Sequence, residues 1–484
     1  MRVNSDNNKI GSSFLWSFLE RIASQGVSFV VSIVLARILV PDDYGIIAIV
    51  QIFIAFADTV ATTGLNASII QKKNVSREDD ASAFVLNIIL GIFMYLVLFL
   101  LAPYVAKVYK TPEISSILRV LAIRIPITAF NAMQRAYVSR NMEFKKFFYS
   151  TVIGTTASAI IGIFMAINGA GPWALVFQYL TNTVINTIVL LITVNWRPSI
   201  CCTKKGMKEI LSFGWKVLAG SLVSEMYLEL RNIIIGIKYD AIDLAYYKRG
   251  QQFPALFLTN VTSSLTSVMF PALARKQSDL ESVKIMLRKS VSVCTFVMGG
   301  LMFGMAATAE SLVKILLTDK WSACIPYLIM YCISYAILPV QSLAEQTYKG
   351  LGLGHTLLST QITAKIIGIL FIIITVPFGV FYIGVGMVIS TYLSTIVYII
   401  RNNKVLSYSV KQQVEDIAPT FCLSLVMVVF ICLIKRIMGI SLGSLILQVI
   451  IGMAAYLSTA YIFHIPALFD LISMVRNILL RRKV

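Results

Sequence analysis

Apolar residues run along this chain in long blocks separated by short polar turns, from one end to the other. A block of about 20 apolar residues is what a helix needs to cross the hydrocarbon of a bilayer. Six such spans can be drawn in the first half, at about 14–38, 44–68, 83–107, 117–138, 147–168 and 173–194. Six more follow at about 211–236, 245–270, 290–312, 325–346, 357–377 and 382–400, and a final pair at about 417–434 and 443–463. The connections are too short to form a separate soluble domain. The pattern predicts an all-α integral membrane protein of about 14 transmembrane helices. It divides into two pseudo-symmetric six-helix lobes, 1–200 and 201–405, and a C-terminal segment, 406–484, of two extra helices and a basic cytoplasmic tail.

The polar exceptions inside the spans carry the chemistry. The stretch 211–236 is long enough to span, yet Glu225, Glu229 and Arg231 lie well inside it. At helical spacing Ser221, Glu225, Glu229 and Asn232 share one face. A charge at the bilayer centre costs about 2.5 kcal/mol or more, so that face must line a bundle interior or a wet cavity. Other stripes are Gln51, Asp58 and Thr62 in the second span, and Arg124, Thr128, Asn131 and Arg135 in the fourth. Gln361 and Lys365 share a face in the eleventh, and Glu20, Ser24 and Ser28 form a strip in the first, with Arg21 and Gln25 beside it.

Basic residues outnumber acidic ones within the spans, an excess that implies a cationic cavity suited to an anionic, phosphate-linked substrate. On this reading Arg21, Arg124, Asn131, Arg135, Arg249 and Lys365 are the candidate substrate-cavity residues. Glu225, Glu229, Asp58 and Glu20 are the candidates for ion coupling. Two carboxylates one turn apart in a low dielectric repel, so one of Glu225 and Glu229 is expected to hold a proton near neutral pH. A static alternative stays open. Arg119, Arg135, Lys216, Lys248 and Glu345 lie near span ends and can snorkel, and acids can neutralise arginines in fixed interhelical pairs.

Composition agrees with the pattern and adds orientation. Hydrophobic residues make up 57% of the 484 and charged ones only 13%, about half the usual share in a soluble protein. The net charge of +19 is not a nucleic-acid signature here, because the basic residues sort by loop. On one side of the predicted membrane lie 25 lysines and arginines, and on the other 8, which puts both termini in the cytoplasm. The first apolar segment carries Glu20, Arg21 and Gln25, so it is not read as a cleaved signal peptide. The seven cysteines show no disulfide or zinc spacing, and only His355 and His464 are histidines. Gly350-Leu351-Gly352-Leu353-Gly354 follows no strand and precedes no P-loop lysine, so it is read as a turn. No ATP-binding motif or catalytic constellation is found. The expectation is a non-enzyme without cofactor that does not draw on ATP within this chain.

A faint internal repeat supports the two-lobe reading. Each half opens on Phe-x-Trp, at Phe14-Leu15-Trp16 and Phe213-Gly214-Trp215, and each has a polar first helix. Parallel halves are a transporter design. Three stretches then resemble the polysaccharide-transporter branch of the multidrug/oligosaccharidyl-lipid/polysaccharide (MOP) exporter superfamily. They are LARILVPDDYGIIAIVQIF at 35–53, YYKRGQQFPALFLTNVTSSLTSVMFPALAR at 246–275, and YKGLGLGH at 348–355. The similarity is greatest to Wzx-type repeat-unit flippases, in particular the colanic-acid and teichuronic-acid exporter group.

The resemblance implies flipping of undecaprenyl-pyrophosphate-linked oligosaccharide repeat units to the outer leaflet, by ion-coupled alternating access. It implies lipid-linked oligosaccharide and bilayer as partners, with a polysaccharide polymerase and glycosyltransferases acting before and after. The alternatives are a related exporter of drugs or of a peptidoglycan lipid precursor, and a membrane glycosyltransferase or polymerase. A drug-cation exporter calls for an acidic cavity, and a glycosyltransferase for a large extramembrane loop.

Overall fold

The computed structural model describes residues 2–71, 76–197, 203–277 and 279–481. Their regular structure is entirely helical. The first eight helices are α1 (Arg2–Ile38), α2 (Pro41–Gln71), α3 (Arg77–Val108), α4 (Glu113–Leu121), α5 (Arg124–Arg140), α6 (Phe144–Ile167), α7 (Pro172–Thr193) and α8 (Lys204–Lys238). The next eight are α9 (Ala241–Arg275), α10 (Leu280–Leu316), α11 (Ile325–Gly350), α12 (Gly354–Thr375), α13 (Val380–Leu406), α14 (Val410–Met438), α15 (Leu442–Ile462) and α16 (Pro466–Arg481). Among the described residues, eleven stretches are long and apolar enough to cross a membrane.

Three predicted spans are not among those eleven, and the reasons differ. The fourth is not one helix. Pro126 lacks an amide hydrogen and its ring crowds the carbonyl four residues back, at Ala122, which weakens the helix at that point. The chain turns at Ala122–Ile123, and α5 restarts at Arg124. The seventh and eighth predicted spans lie in α8 and α9, each 35 residues long, and neither is among the eleven found in the described residues. The segment after 463, read from sequence as a tail, forms α16. Cys201, Cys202, Lys72 and Lys73 lie outside the described residues.

The chain divides into two compact units, Met1–Ala245 and Tyr246–Val484, with the boundary inside α9. In the first unit α6 lies along α7 and α1, while α2 packs on α3, α5 and α8. Near its start α2 comes close to Ala241, the first residue of α9. A Cβ on Gly45 would sit 2.1 Å from the carbonyl oxygen of Ala241, and one on Gly236 would sit 2.7 Å from the Tyr109 ring. Only glycine lets backbones come this near. Ile46, Ile47, Ile49 and Val50 are buried around that contact. α3 starts with a capping box in which Ser76 and Asp79 satisfy each other's backbone amides.

In the second unit α10 is the spine, packing on α11, α14, α15 and α16. At 37 residues it is about 55 Å long, well beyond the hydrocarbon thickness. Ion pairs fasten it to the C-terminal helices near both ends. Arg288 forks onto Asp416 with bonds of 2.8 and 3.0 Å, and Lys289 meets Asp470 at 2.7 Å. Near its other end Glu310 takes both Lys314 (2.8 Å) and Lys435. The Tyr408 hydroxyl donates to Asp416. Burial, and then that carboxylate, push its phenol above the usual range, so it stays the donor. Between the ion pairs an apolar cluster of Phe296, Met427, Ile431 and Tyr456 closes α10 on α14 and α15.

Candidate functional site

Arg124 is the first helical residue of α5 because of the break that Pro126 imposes. There its guanidinium meets the carboxylate of Asp58 on α2 at 3.1 Å, each side chain about a fifth exposed. Asp58 Oδ1 and Arg124 Nε remain buried without a hydrogen-bond partner. The pair is therefore neutral overall yet under-bonded, a state in which leaving either charge alone is costly. Thr128, one turn on, donates back to the Arg124 carbonyl (2.9 Å).

The Arg124 stripe does not run on as a wet face. Asn131 is buried and donates to Thr187 on α7 at 3.3 Å. Arg135 lays its guanidinium over the Phe147 ring at 5.7 Å, within electrostatic reach of Glu20. Arg119 likewise covers the Phe99 ring at 4.5 Å and donates to the Phe99 carbonyl, as the static reading of span-end cations expects.

The next residue on α2, Thr59, lines a polar pocket of about 470 Å³ with Lys216, Val217, Gly220, Ser221, Ser224 and Glu225 of α8. Lys216 and Glu225 stand about 13 Å apart along the helix, so the pocket presents a cation at one end and a carboxylate at the other. Ser221 and Glu225 are there as the sequence face predicts. Further along, that face leaves the pocket. Glu229 accepts a 2.7 Å bond from Asn232, which is buried, and Arg231 lies 6.0 Å from the Tyr227 ring. Lys216 was read from sequence only as a snorkelling cation. The signal that finds it is the spacing of Lys216, Gly220 and Ser224 at i, i+4 and i+8, a lysine over two small residues.

The remaining sequence candidates are scattered. Arg21 is exposed on α1 and Glu20 is half-buried beside it. In the second unit Lys365 is half-buried on α12, on the face shared with Gln361. Arg249 is 4% exposed. Its guanidinium bonds Gln252 at 2.6 Å and packs 5.2 Å from the Trp321 ring. Glu345 accepts a 2.6 Å bond from Tyr398. The second unit also holds an apolar crevice of about 400 Å³ between α10, α14 and α15, lined by Gly300, Gly304, Met427, Gly452, Met453 and Tyr456 among others. Among the described residues no cluster of histidine, cysteine and carboxylate side chains is arranged to hold a metal.

Helices of bilayer length that carry ion pairs and a charged pocket are those of a polytopic membrane protein, and the fold is that of the transporters of the MOP superfamily. The lipid II flippase MurJ, in an inward closed conformation, superimposes with a TM-score of 0.71 over 95% of this chain and 99% of its own, at 13% identity. A multidrug-resistance MATE transporter in its inward-facing conformation gives 0.62 over 81% of this chain and 94% of its own, at 14% identity. Residues 34–326 match the family described as "Polysaccharide biosynthesis protein", and the chain belongs to it. Among relatives, the succinoglycan biosynthesis transport protein ExoT of Rhizobium meliloti is 24% identical over 71% of this chain and 69% of its own. The lipopolysaccharide biosynthesis protein WzxC of Escherichia coli is 24% identical over 66% and 65%. A membrane protein of the cps region of Klebsiella pneumoniae is 23% identical over 96% and 97%.

Proposed function

We propose that this chain is a flippase that carries a lipid-linked oligosaccharide repeat unit, joined through pyrophosphate to a polyprenyl chain, from the cytoplasmic to the outer leaflet of a bacterial inner membrane. About 14 spans with both termini in the cytoplasm complete this reading, following the 25-to-8 loop bias. The observation that carries it is the polar pocket on α8, with Lys216 and Glu225 at its ends and the Asp58–Arg124 pair beginning one residue from its wall. A glycan and its phosphates are too polar for hydrocarbon, and a pocket with both a cation and hydroxyls offers them replacement partners. Asp58, Arg124, Lys216 and Glu225 form the proposed working set, with Glu229, Glu20, Arg21, Arg135 and Lys365 as secondary members. Buried Arg249 and Asn131 are left as packing residues.

The drive we propose is a proton or sodium gradient acting through Glu225 or Asp58. Protonation or ion binding there changes what each acid prefers to pair with, and so biases one conformation over another. The polyprenyl tail needs no polar path. The apolar crevice of the second unit offers it a surface equivalent to lipid. Glycosyltransferases would supply the cargo and a polymerase would consume it.

The test is reconstitution in liposomes with a fluorescent polyprenyl-pyrophosphate oligosaccharide, whose leaflet is read by an impermeant quencher. Gradient-dependent movement is the expected result, and an unchanged leaflet distribution overturns the reading. The likeness to the lipid II flippase fold favours one second cargo, a peptidoglycan lipid precursor, and the same liposomes loaded with that lipid decide between them.

A further inference from the structure

We infer that α16 is an interfacial helix that docks on acidic phospholipid headgroups at the membrane face bearing the basic loops. The inference rests on the orientation proposed above, and its parts are all within the second unit.

The chain fixes where α16 begins. α15 is long and apolar enough to span, and ends at Ile462. Only Phe463, His464 and Ile465 separate it from Pro466, so α16 starts within roughly 14 Å of the end of a span. Aromatic side chains mark the level. Tyr461 and Phe463 are both exposed, and the His464 ring stacks between Tyr461 and Phe469, with centroids 6.4 and 6.1 Å away. Amphipathic rings collect at the headgroup level of a bilayer.

One side of α16 is committed to the protein. Ala467 and Leu468 are buried in the cluster with Phe296 and Tyr456, Leu471 packs against it, and Asp470 is held by Lys289 at 2.7 Å. The other side is a stripe of Phe469, Ile472, Ser473 and Arg476, at i, i+3, i+4 and i+7, and all four are exposed. Two large apolar groups and an arginine on one exposed face fit the boundary where acyl chain meets headgroup. The charge selects the headgroup. The helix has one acid, Asp470, already paired with Lys289, while Arg476 is followed in sequence by Arg481, Arg482 and Lys483. Such a basic cluster next to a span attracts anionic lipid and falls off with salt.

The experiment places an environment-sensitive fluorophore on Ile472→Cys, in a full-length chain whose own cysteines are replaced. The labelled protein is set in nanodiscs of phosphatidylcholine with or without phosphatidylglycerol. The expected result is a blue-shifted label whose shift grows with phosphatidylglycerol and shrinks with added salt. Arg476→Glu should weaken the dependence on phosphatidylglycerol, leaving the zwitterionic signal in place. Each basic residue removed should weaken the preference by about fivefold. A label in water at both compositions leaves the stripe to a protein partner and overturns the inference. So does a lipid preference indifferent to Arg476→Glu and to salt. Because the readout is fluorescence rather than transport, it stands apart from any failure of the flippase reading.

Discussion

The carboxylate of Asp58 and the guanidinium of Arg124 meet at 3.1 Å across two helices separated by 66 positions in sequence, each with one buried nitrogen or oxygen left unbonded. Arg124 owes its place to the helix break before Pro126, and Asp58 sits one residue from the wall of the polar pocket. The pair ties α5 to α2.

Removing one partner should therefore do more harm than removing both. Arg124→Ala and Asp58→Asn are each expected to lower transport at least tenfold, and to destabilise the protein by about 1–3 kcal/mol by leaving a half-buried charge alone. The double variant should recover much of the stability but not the transport. Thermal unfolding in detergent and export in cells, measured on all three, check this. Full transport by Arg124→Ala would remove the pair from the mechanism.

Coupling should reside in the α8 acids. Glu225→Gln, in the pocket, is expected to keep cargo binding but lose gradient-driven movement. Glu229→Gln, whose carboxylate is engaged by Asn232, should behave more nearly as wild type. Liposome transport across imposed pH and sodium gradients reads the difference. Native rates for both variants, singly and together, would place the coupling site elsewhere.

Gly45 tests the contact between α2 and the start of α9. Any side chain there overlaps the Ala241 carbonyl, so Gly45→Val should force the helices apart at a cost of about 1–3 kcal/mol and reduce transport. Gly220→Val should be much better tolerated as a fold, because nothing lies within 4 Å of a Cβ there, yet it narrows the pocket. Comparing the two melting temperatures checks the claim.

The C-terminal helices should depend on their clamps. Asp416→Asn loses the forked bond from Arg288 and weakens the bond from Tyr408, and is expected to cost about 1–3 kcal/mol. Hydrogen exchange should speed up across α14 more than across α12. Uniform exchange would show that the clamp carries no local stability.

Orientation is checked by labelling single cysteines with an impermeant thiol reagent. Positions 140–146, 275–277 and 476 should be shielded in intact cells, and positions 314–320 should react. Labelling at 140–146 from outside would overturn the proposed topology.

The sequence by itself determined the class of fold. Bilayer-length apolar blocks leave helices as the solution, because every backbone group in hydrocarbon must be bonded within its own segment. It also determined which helices carry polar faces, since 3.6-residue spacing puts Ser221 and Glu225 together without knowledge of any neighbour. The break in the fourth span was encoded at Pro126, and α16 in the spacing of Leu468, Leu471, Val475 and Ile478. Both signals are weaker than a continuous apolar run, and a span-length window passes over them. Tertiary structure alone decided the partners. An acid and an arginine 66 residues apart meet only when helix rotation and tilt are fixed, and packing sets those. So Asp58 found Arg124, Asn131 turned to Thr187, and Arg249, as polar in sequence as Arg124, was folded against Trp321 out of reach of solvent.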